Sequence, residues 1–318
     1  MLGLASLSLG LSLSLGLGPW TAAAADTVAF TIADSRITES SGLARDTGAN
    51  LYWTVNDSGD EGMAYGITAD GLVSGTLEFR VAPVDVEAIA MSAQRLYIGD
   101  IGDNKRDRRE ITVFYFDNPA ADDSTVTYRS WDLRYGDGKH DAETLLVSSA
   151  GEMFVVTKGS TGAVYAAPSR PRTVGVNELT KVGSAPAMVT DGVFLPGDAR
   201  IALLTYSEVQ VLDAKTYAKI ASAEIPPQQQ AESLSLSLDG RSLLVGSEGA
   251  SSKVYEMAIP GEPPSTPGAG LDPANPDGNA DSDPSADSRG RRGTFLALGL
   301  AAFAALLAGL VVAVVRKP

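Results

Sequence analysis

Residues 85–104, DVEAIAMSAQRLYIGDIGDN, set out a plan that the rest of the chain repeats: an acidic or hydroxyl step, a short apolar strand, a turn, a second apolar strand and a polar loop. The same plan reads as ESSGLARDTGANLYWTVNDSGD at 39–60, DAETLLVSSAGEMFVVTKGS at 141–160 and AESLSLSLDGRSLLVGSEG at 231–249, with a looser copy, TDGVFLPGDARIALLTYSE, at 190–208. Superposing Ser41, Glu87, Glu143, Asp191 and Glu232 gives steps of 46, 56, 48 and 41 residues. That is the period of a propeller blade. The apolar runs are short, rich in Val, Ile, Leu and Tyr, and bounded by Gly, Asp or Ser, with no sustained helical period. One such meander leaves its faces and edges uncovered, and radial packing of several copies buries both. The fold expected is therefore all-β, a β-propeller with five blades, or six if the long step between Glu87 and Glu143 hides further strands. A β-sandwich is the competing reading of short, evenly spaced strands.

Outward from the repeats, DTVAFTIAD at 26–34 alternates like a half-buried strand and stands alone, which suits it to close a ring by pairing with the last copy. The repeats occupy 26–259, the expected propeller domain. Residues 1–25 read as a signal peptide, with an apolar Leu/Gly/Ser run and Ala23 and Ala25 placed for cleavage. Residues 260–293 are a disordered Pro/Gly/Asp-rich linker by composition. Residues 294–315 form an expected transmembrane helix, since the apolar run 295–315 is 21 residues long and about 32 Å as a helix. Residues 316–318 would be a cytoplasmic tail, making a single-pass type I protein with its propeller outside the cell.

The 318 residues carry a formal charge of −14, no cysteine and one histidine. Between residues 26 and 259 there are 20 bases against 33 acids, so the repeat domain itself is acidic. Such a surface repels phosphate backbones, excluding nucleic acid as a natural partner and favouring cations. Disulfides, thiol catalysis, Cys-ligated zinc and sites built on clustered imidazoles are excluded by the same counts.

Two sets of residues could carry chemistry. The loops NDSGDEG, GDIGDN and GSEG place Asp57, Asp60, Asp100 and Asp103 beside glycines, the hard oxygen donors calcium takes, and equally the residues of ordinary turns. Glu87, Glu143 and Glu232 begin successive copies, with Asp85 and Asp141 two places ahead of the first two. On innermost strands they would converge on the channel, where they would need a cation or protons between them. Alternatively they accept hydrogen bonds from neighbouring backbone. His140, beside Asp141 and near Glu143, is the only imidazole available as a general base or a metal ligand. No GxSxG, P-loop or dinucleotide fingerprint is present.

ESSGLA, YWTVNDSGD, LYIGDIGDN, HDAETLLV, FVVTKGSTGAVYAAP, VTDGVFLPG and LLVGSEG together resemble the secreted WD40-like, PD40-type β-propeller proteins of actinobacteria. More distantly the chain is similar to phytase-like and esterase-like propellers, which hold calcium in acidic loops and channels. It lacks the Lys and Arg cluster with which phytases grip phosphate, and Val86 stands where the actinobacterial pattern has an aromatic residue. The resemblance implies the fold and export. Two functions are then expected in order: a membrane-anchored binding or interaction module at the cell surface, with a protein or glycan ligand; and, as its rival, a calcium-dependent hydrolase of the phosphoesterase or lactonase type using the channel carboxylates.

Overall fold

The computed structural model describes residues 27–57 and 61–262. The signal, linker, transmembrane and tail segments expected from sequence, and Asp60, lie outside these residues. Every regular element described is a strand.

β1 (Thr27–Ile32) comes first. A sheet of β2 (Ser40–Asp46), β3 (Leu51–Asn56), β4 (Met63–Ile67) and β5 (Val73–Phe79) follows as an antiparallel meander. Next come β6 (Val86–Ser92), β7 (Arg95–Asp100), β8 (Ile111–Asp117), β9 (Ser124–Val126) and β10 (Arg129–Tyr135). Then come β11 (Ala142–Val147), β12 (Met153–Thr157), β13 (Gly162–Ala166) and β14 (Val176–Ala185). β15 (Val189–Phe194), β16 (Arg200–Thr205), β17 (Glu208–Asp213) and β18 (Lys219–Glu224) form another meander, and β19 (Ala231–Leu236), β20 (Ser242–Ser247) and β21 (Ser252–Ala258) end the series.

The long step between Glu87 and Glu143 is explained by β9, an additional short strand that pairs in parallel with β5 and so leaves its own neighbourhood to extend the preceding sheet. β10 pairs antiparallel with β8 and parallel with β14, which joins two four-stranded meanders into one eight-stranded sheet. β1 pairs antiparallel with β21, so the isolated N-terminal strand completes the last sheet and ties the two ends of the domain together.

β2, β6, β11, β15 and β19 pack each on the next, and β19 on β2. A separate apolar cluster fills each gap between neighbouring meanders. Trp53, Phe79, Leu96 and Phe114 lie between the first two, and Trp131, Tyr97 and Tyr165 between the next pair. Tyr115 stacks on Trp131 with ring centroids 4.0 Å apart. The strands are apolar on both faces because both are covered by neighbouring sheets. The architecture is all-β and propeller-like.

Candidate functional site

The candidate residues sit where the innermost strands begin. In four of them the ladder slips by one residue there. The register shifts between Val86 and Ala88, between Ala142 and Thr144, between Val189 and Asp191, and between Ala231 and Ser233. The unpaired residues are Glu87, Glu143, Thr190 and Glu232. In β2 the slip falls between Ser41 and Ala44, with Gly42 in the left-handed region at φ 75°. A bulge frees one residue from strand pairing and re-aims its side chain, a device common beside active sites.

This corrects the alignment of the loose copy, where Thr190 and not Asp191 matches the glutamates. Asp191 is one place further on, paired with Leu204, and its buried carboxylate accepts from Leu234 N at 2.6 Å and Gly192 N at 2.7 Å. It is a backbone acceptor between neighbouring sheets. Ser41 and Thr190 also serve the structure, since their hydroxyls donate to the backbone carbonyls of Glu87 at 3.1 Å and Ala231 at 2.7 Å on the next innermost strand.

Among the described residues Glu87, Glu143 and Glu232 have no such backbone donors, and they are 7%, 3% and 5% exposed. Lys158, just past the end of β12, donates its Nζ to Glu143 Oε1 and lies 5.2 Å from the ring centroid of Tyr206, just past the end of β16. Gln230 Nε2 donates to Glu232 Oε1 at 2.9 Å. Glu143 Oε2 is buried with no hydrogen-bond partner among the described residues.

Burial pushes the Glu87 carboxyl up to about 10, helped by the neighbouring Glu143, Asp85 and Asp57. It also pushes Glu143 up to about 8, with Glu232 adding to the rise and Lys158 opposing it. Burial raises Glu232 to about 7, against the pull of Lys158 and Gln230. Burial works against the Lys158 charge, but Glu143 and Tyr206 outweigh it and hold the ammonium above its usual range. Of the three acids crowded around one ammonium, Glu87 and Glu143 thus keep their protons at neutral pH and Glu232 is poised to lose its own. Their titrations belong to the group as a whole.

The other expected site residues are placed differently. Asp100 accepts from Val84 N, Asp85 N and Arg108 Nη1, and Asp103 from Asp107 N and Arg108 N. Both are therefore spent on shaping the loop after β7. Asp141 accepts from Asp103 N at 2.8 Å and fastens that loop to the next sheet. Glycine is favoured at 102, where that loop begins, because a Cβ there would meet Asp85 Oδ2 at 2.4 Å and Glu87 Cγ at 2.7 Å. Asp57 faces the glutamates closely enough to raise Glu87 and Glu232. His140 turns to Asp137 and Tyr165, 3.0 Å from each, and the edge of Tyr135. Its imidazole belongs to that polar cluster.

The donors at the ring are of the hard kind calcium takes. Among the described residues, however, no three His, Cys, Asp or Glu side chains are arranged to hold a metal ion, and the cation beside Glu143 is Lys158. Lys158 and Tyr206 carry no motif of their own. The available signal is positional: each follows the polar residue that ends a second strand, Thr157 or Thr205, opposite the start of an innermost strand. Beside Tyr206 a depression of about 380 Å³ carries Gln228, whose amide Oε1 and Nε2 are both buried with no partner among the described residues.

No family model and no curated protein matches the chain. Among solved structures, a likeness is found to XC5397 from Xanthomonas campestris, described as a gluconolactonase important in glucose secondary metabolic pathways. It has a TM-score of 0.44 and 11% identity over 71% of this chain and 88% of that one. A likeness that distant carries no argument about activity or the roles of residues.

Proposed function

We propose that the chain is a hydrolase of the ester or lactone type, with its reaction centre at Glu143, Glu232 and Lys158 in a five-bladed propeller. The blade count rests on the cyclic packing of β2, β6, β11, β15 and β19 and on the closing pair β1–β21. One observation carries the activity: three buried carboxylates surround one ammonium, with Glu232 near neutrality at about 7. Burying that much charge disfavours folding, and groups so perturbed cluster at functional sites.

In this reading Glu232 acts as general base and takes a proton from water as its oxygen attacks the acyl carbon. The Lys158 ammonium stabilises the negative charge that develops on the carbonyl oxygen. When the tetrahedral intermediate collapses, the proton on Glu232 passes to the leaving alkoxide, so the carboxylate is regenerated. Glu143 holds Lys158 in place, and the amide of Gln228 offers a donor and an acceptor to the rest of the substrate. Phosphoesters suit the site less, because the acids around it repel anions. No step requires calcium.

The sequence supports an exported, membrane-tethered placement through residues 1–25 and 294–315. The actinobacterial secreted propellers remain the family that the sequence motifs favour.

The decisive assay is a panel of aryl esters and aliphatic lactones tried with wild type, Glu232→Gln and Lys158→Met. Turnover that falls at least a hundredfold in both variants, with a wild-type rate that rises with pH through about 7 as Glu232 ionises, is the expected result. Absence of turnover on the whole panel, or full activity in Glu232→Gln, overturns the reading and leaves a binding module at the cell surface.

A further inference from the structure

Glu87 takes no part in the chemistry proposed above, although it stands in the same ring. The bulge that opens β6 frees it from strand pairing. Its backbone carbonyl accepts from the Ser41 hydroxyl on the neighbouring β2 at 3.1 Å. The chain at Gly102 runs against its stem, so close that a Cβ there would fall 2.7 Å from Glu87 Cγ. These contacts fix the residue on both sides. Among the described residues, however, no group hydrogen-bonds to its carboxyl, although the residue is only 7% exposed. Burying a polar group without hydrogen-bonding it disfavours folding, and such groups are kept where they serve a ligand or a reaction.

The charged groups that act on Glu87 are Glu143, Asp85 and Asp57, all acids, and Lys158. That ammonium is bonded to Glu143. Glu87 therefore has no cation of its own, and burial with the surrounding acids keeps its proton on at neutral pH. A neutral carboxyl donates a hydrogen bond, which a carboxylate cannot. Its place in the ring also differs from that of Lys158. The strands β6, β11, β15 and β19 pack in that order, with Glu87 on one side of Glu143 and Lys158, beside Tyr206, toward the other.

We propose that Glu87 is a catalytic residue that donates its O–H to the alkoxy oxygen of the substrate, and that the site is thereby suited to alkyl esters and aliphatic lactones, whose leaving alkoxides are strongly basic. This rests on the reading of the ring as an ester or lactone hydrolase. The acyl group carries two oxygens, and charge grows on each in turn. It grows on the carbonyl oxygen as water adds, and on the alkoxy oxygen as its bond to the acyl carbon breaks. Lys158 serves the first, and Glu87, on the other side of Glu143, serves the second. Glu87 keeps its proton throughout. The proton that ends on the alcohol is the one Glu232 took from water, so the balance of the reaction is unchanged. A phenoxide leaves with little help of this kind, whereas an alkoxide depends on it.

The test is hydrolysis of ethyl butanoate, para-nitrophenyl butanoate and δ-valerolactone by the full-length protein, as wild type, Glu87→Leu and Glu87→Gln. Wild-type turnover should depend only weakly on the basicity of the leaving alcohol. Glu87→Leu is expected to lower the ratio of ethyl to para-nitrophenyl turnover about a hundredfold, through kcat more than KM, and to slow the lactone in step with the ethyl ester. Glu87→Gln, whose amide still donates, is expected to recover most of that ratio. A steep dependence on leaving-group basicity in wild type overturns the proposal without any variant having to fold. So does an equal loss on both esters in Glu87→Leu, or a ratio in Glu87→Gln no better than in Glu87→Leu. Failure of the hydrolase reading looks different: wild type then turns over none of the three substrates, and the proposal falls with it.

Discussion

Lys158 is bonded to Glu143 across two adjacent strands: the glutamate sits at the bulge that opens β11, and the lysine just past the end of its partner β12. Between Glu143 and Glu232 the intervening sheet presents Thr190 at the bulge in place of an acid, and Lys158 with Tyr206 lies on that side. The ammonium thus stands among acids that would otherwise only repel one another, and most of what can be measured at the ring follows from it.

Stability should fall as pH rises. Glu87, Glu143 and Glu232 all titrate in the native protein above their ordinary value of 4.5, at about 10, 8 and 7. The native state then binds protons that the unfolded chain releases, so the contribution is complete below about pH 4.5 and is lost as pH climbs through the folded values. Thermal melts from pH 5 to pH 9 should show a drop on the order of 10 °C. Glu87→Gln keeps the neutral form at every pH, so its curve should fall less steeply and lie above wild type at pH 8. Parallel curves would remove the claim that Glu87 is held protonated.

Asp191 should prove structural. Its carboxylate is 2% exposed and accepts two backbone N–H groups, one of them on the neighbouring β19. Asp191→Ala leaves a buried donor unpaired, at a cost of about 1–3 kcal/mol. Urea unfolding should show that loss, with no change in the pH dependence of any turnover. Wild-type stability in the variant would mean that Leu234 N–H finds another acceptor.

Gly102→Ala should be disruptive for a steric reason. The new Cβ would fall 2.4 Å from Asp85 Oδ2 and 2.7 Å from Glu87 Cγ, forcing both acids away from their places. Displacements of that kind in packed surroundings cost about 1–3 kcal/mol. Retained stability in urea would show that the loop after β7 moves aside freely.

The repeat is legible because strand patterning and turn chemistry recur at a fixed period, and Glu87, Glu143 and Glu232 superpose from sequence alone. The closing role of β1 is legible for a similar reason, since DTVAFTIAD alternates and has no copy to belong to. The bulges are not. A one-residue slip leaves no composition signal, so the sequence alignment sets Asp191 where Thr190 belongs. The roles of Asp100, Asp103 and Asp141 are hidden as well. Turn acids and metal ligands use the same residue types, and only the N–H groups they accept distinguish the two. Lys158 is silent in the sequence because its partner is 15 residues away, a separation set by hairpin length and not by any motif.

Calcium separates the role of Lys158 from that of the acids. With the ammonium at Glu143, wild type should melt at the same temperature with calcium and with chelator. Lys158→Met removes the cation beside Glu143 and leaves Glu143 and Glu232 uncompensated where they ionise, at a cost of about 3–5 kcal/mol above pH 8. The loss should be much smaller at pH 5, where both acids are protonated in either protein. At pH 7.5 the variant should gain a calcium-dependent rise in melting temperature. An ion that binds only the folded form adds about 2.7 kcal/mol at a hundredfold excess over its Kd. A calcium shift in wild type equal to that in the variant would show that the ion has its own place beside Lys158. No shift in either would mean that the carboxylates cannot converge on an ion even when the ammonium is gone.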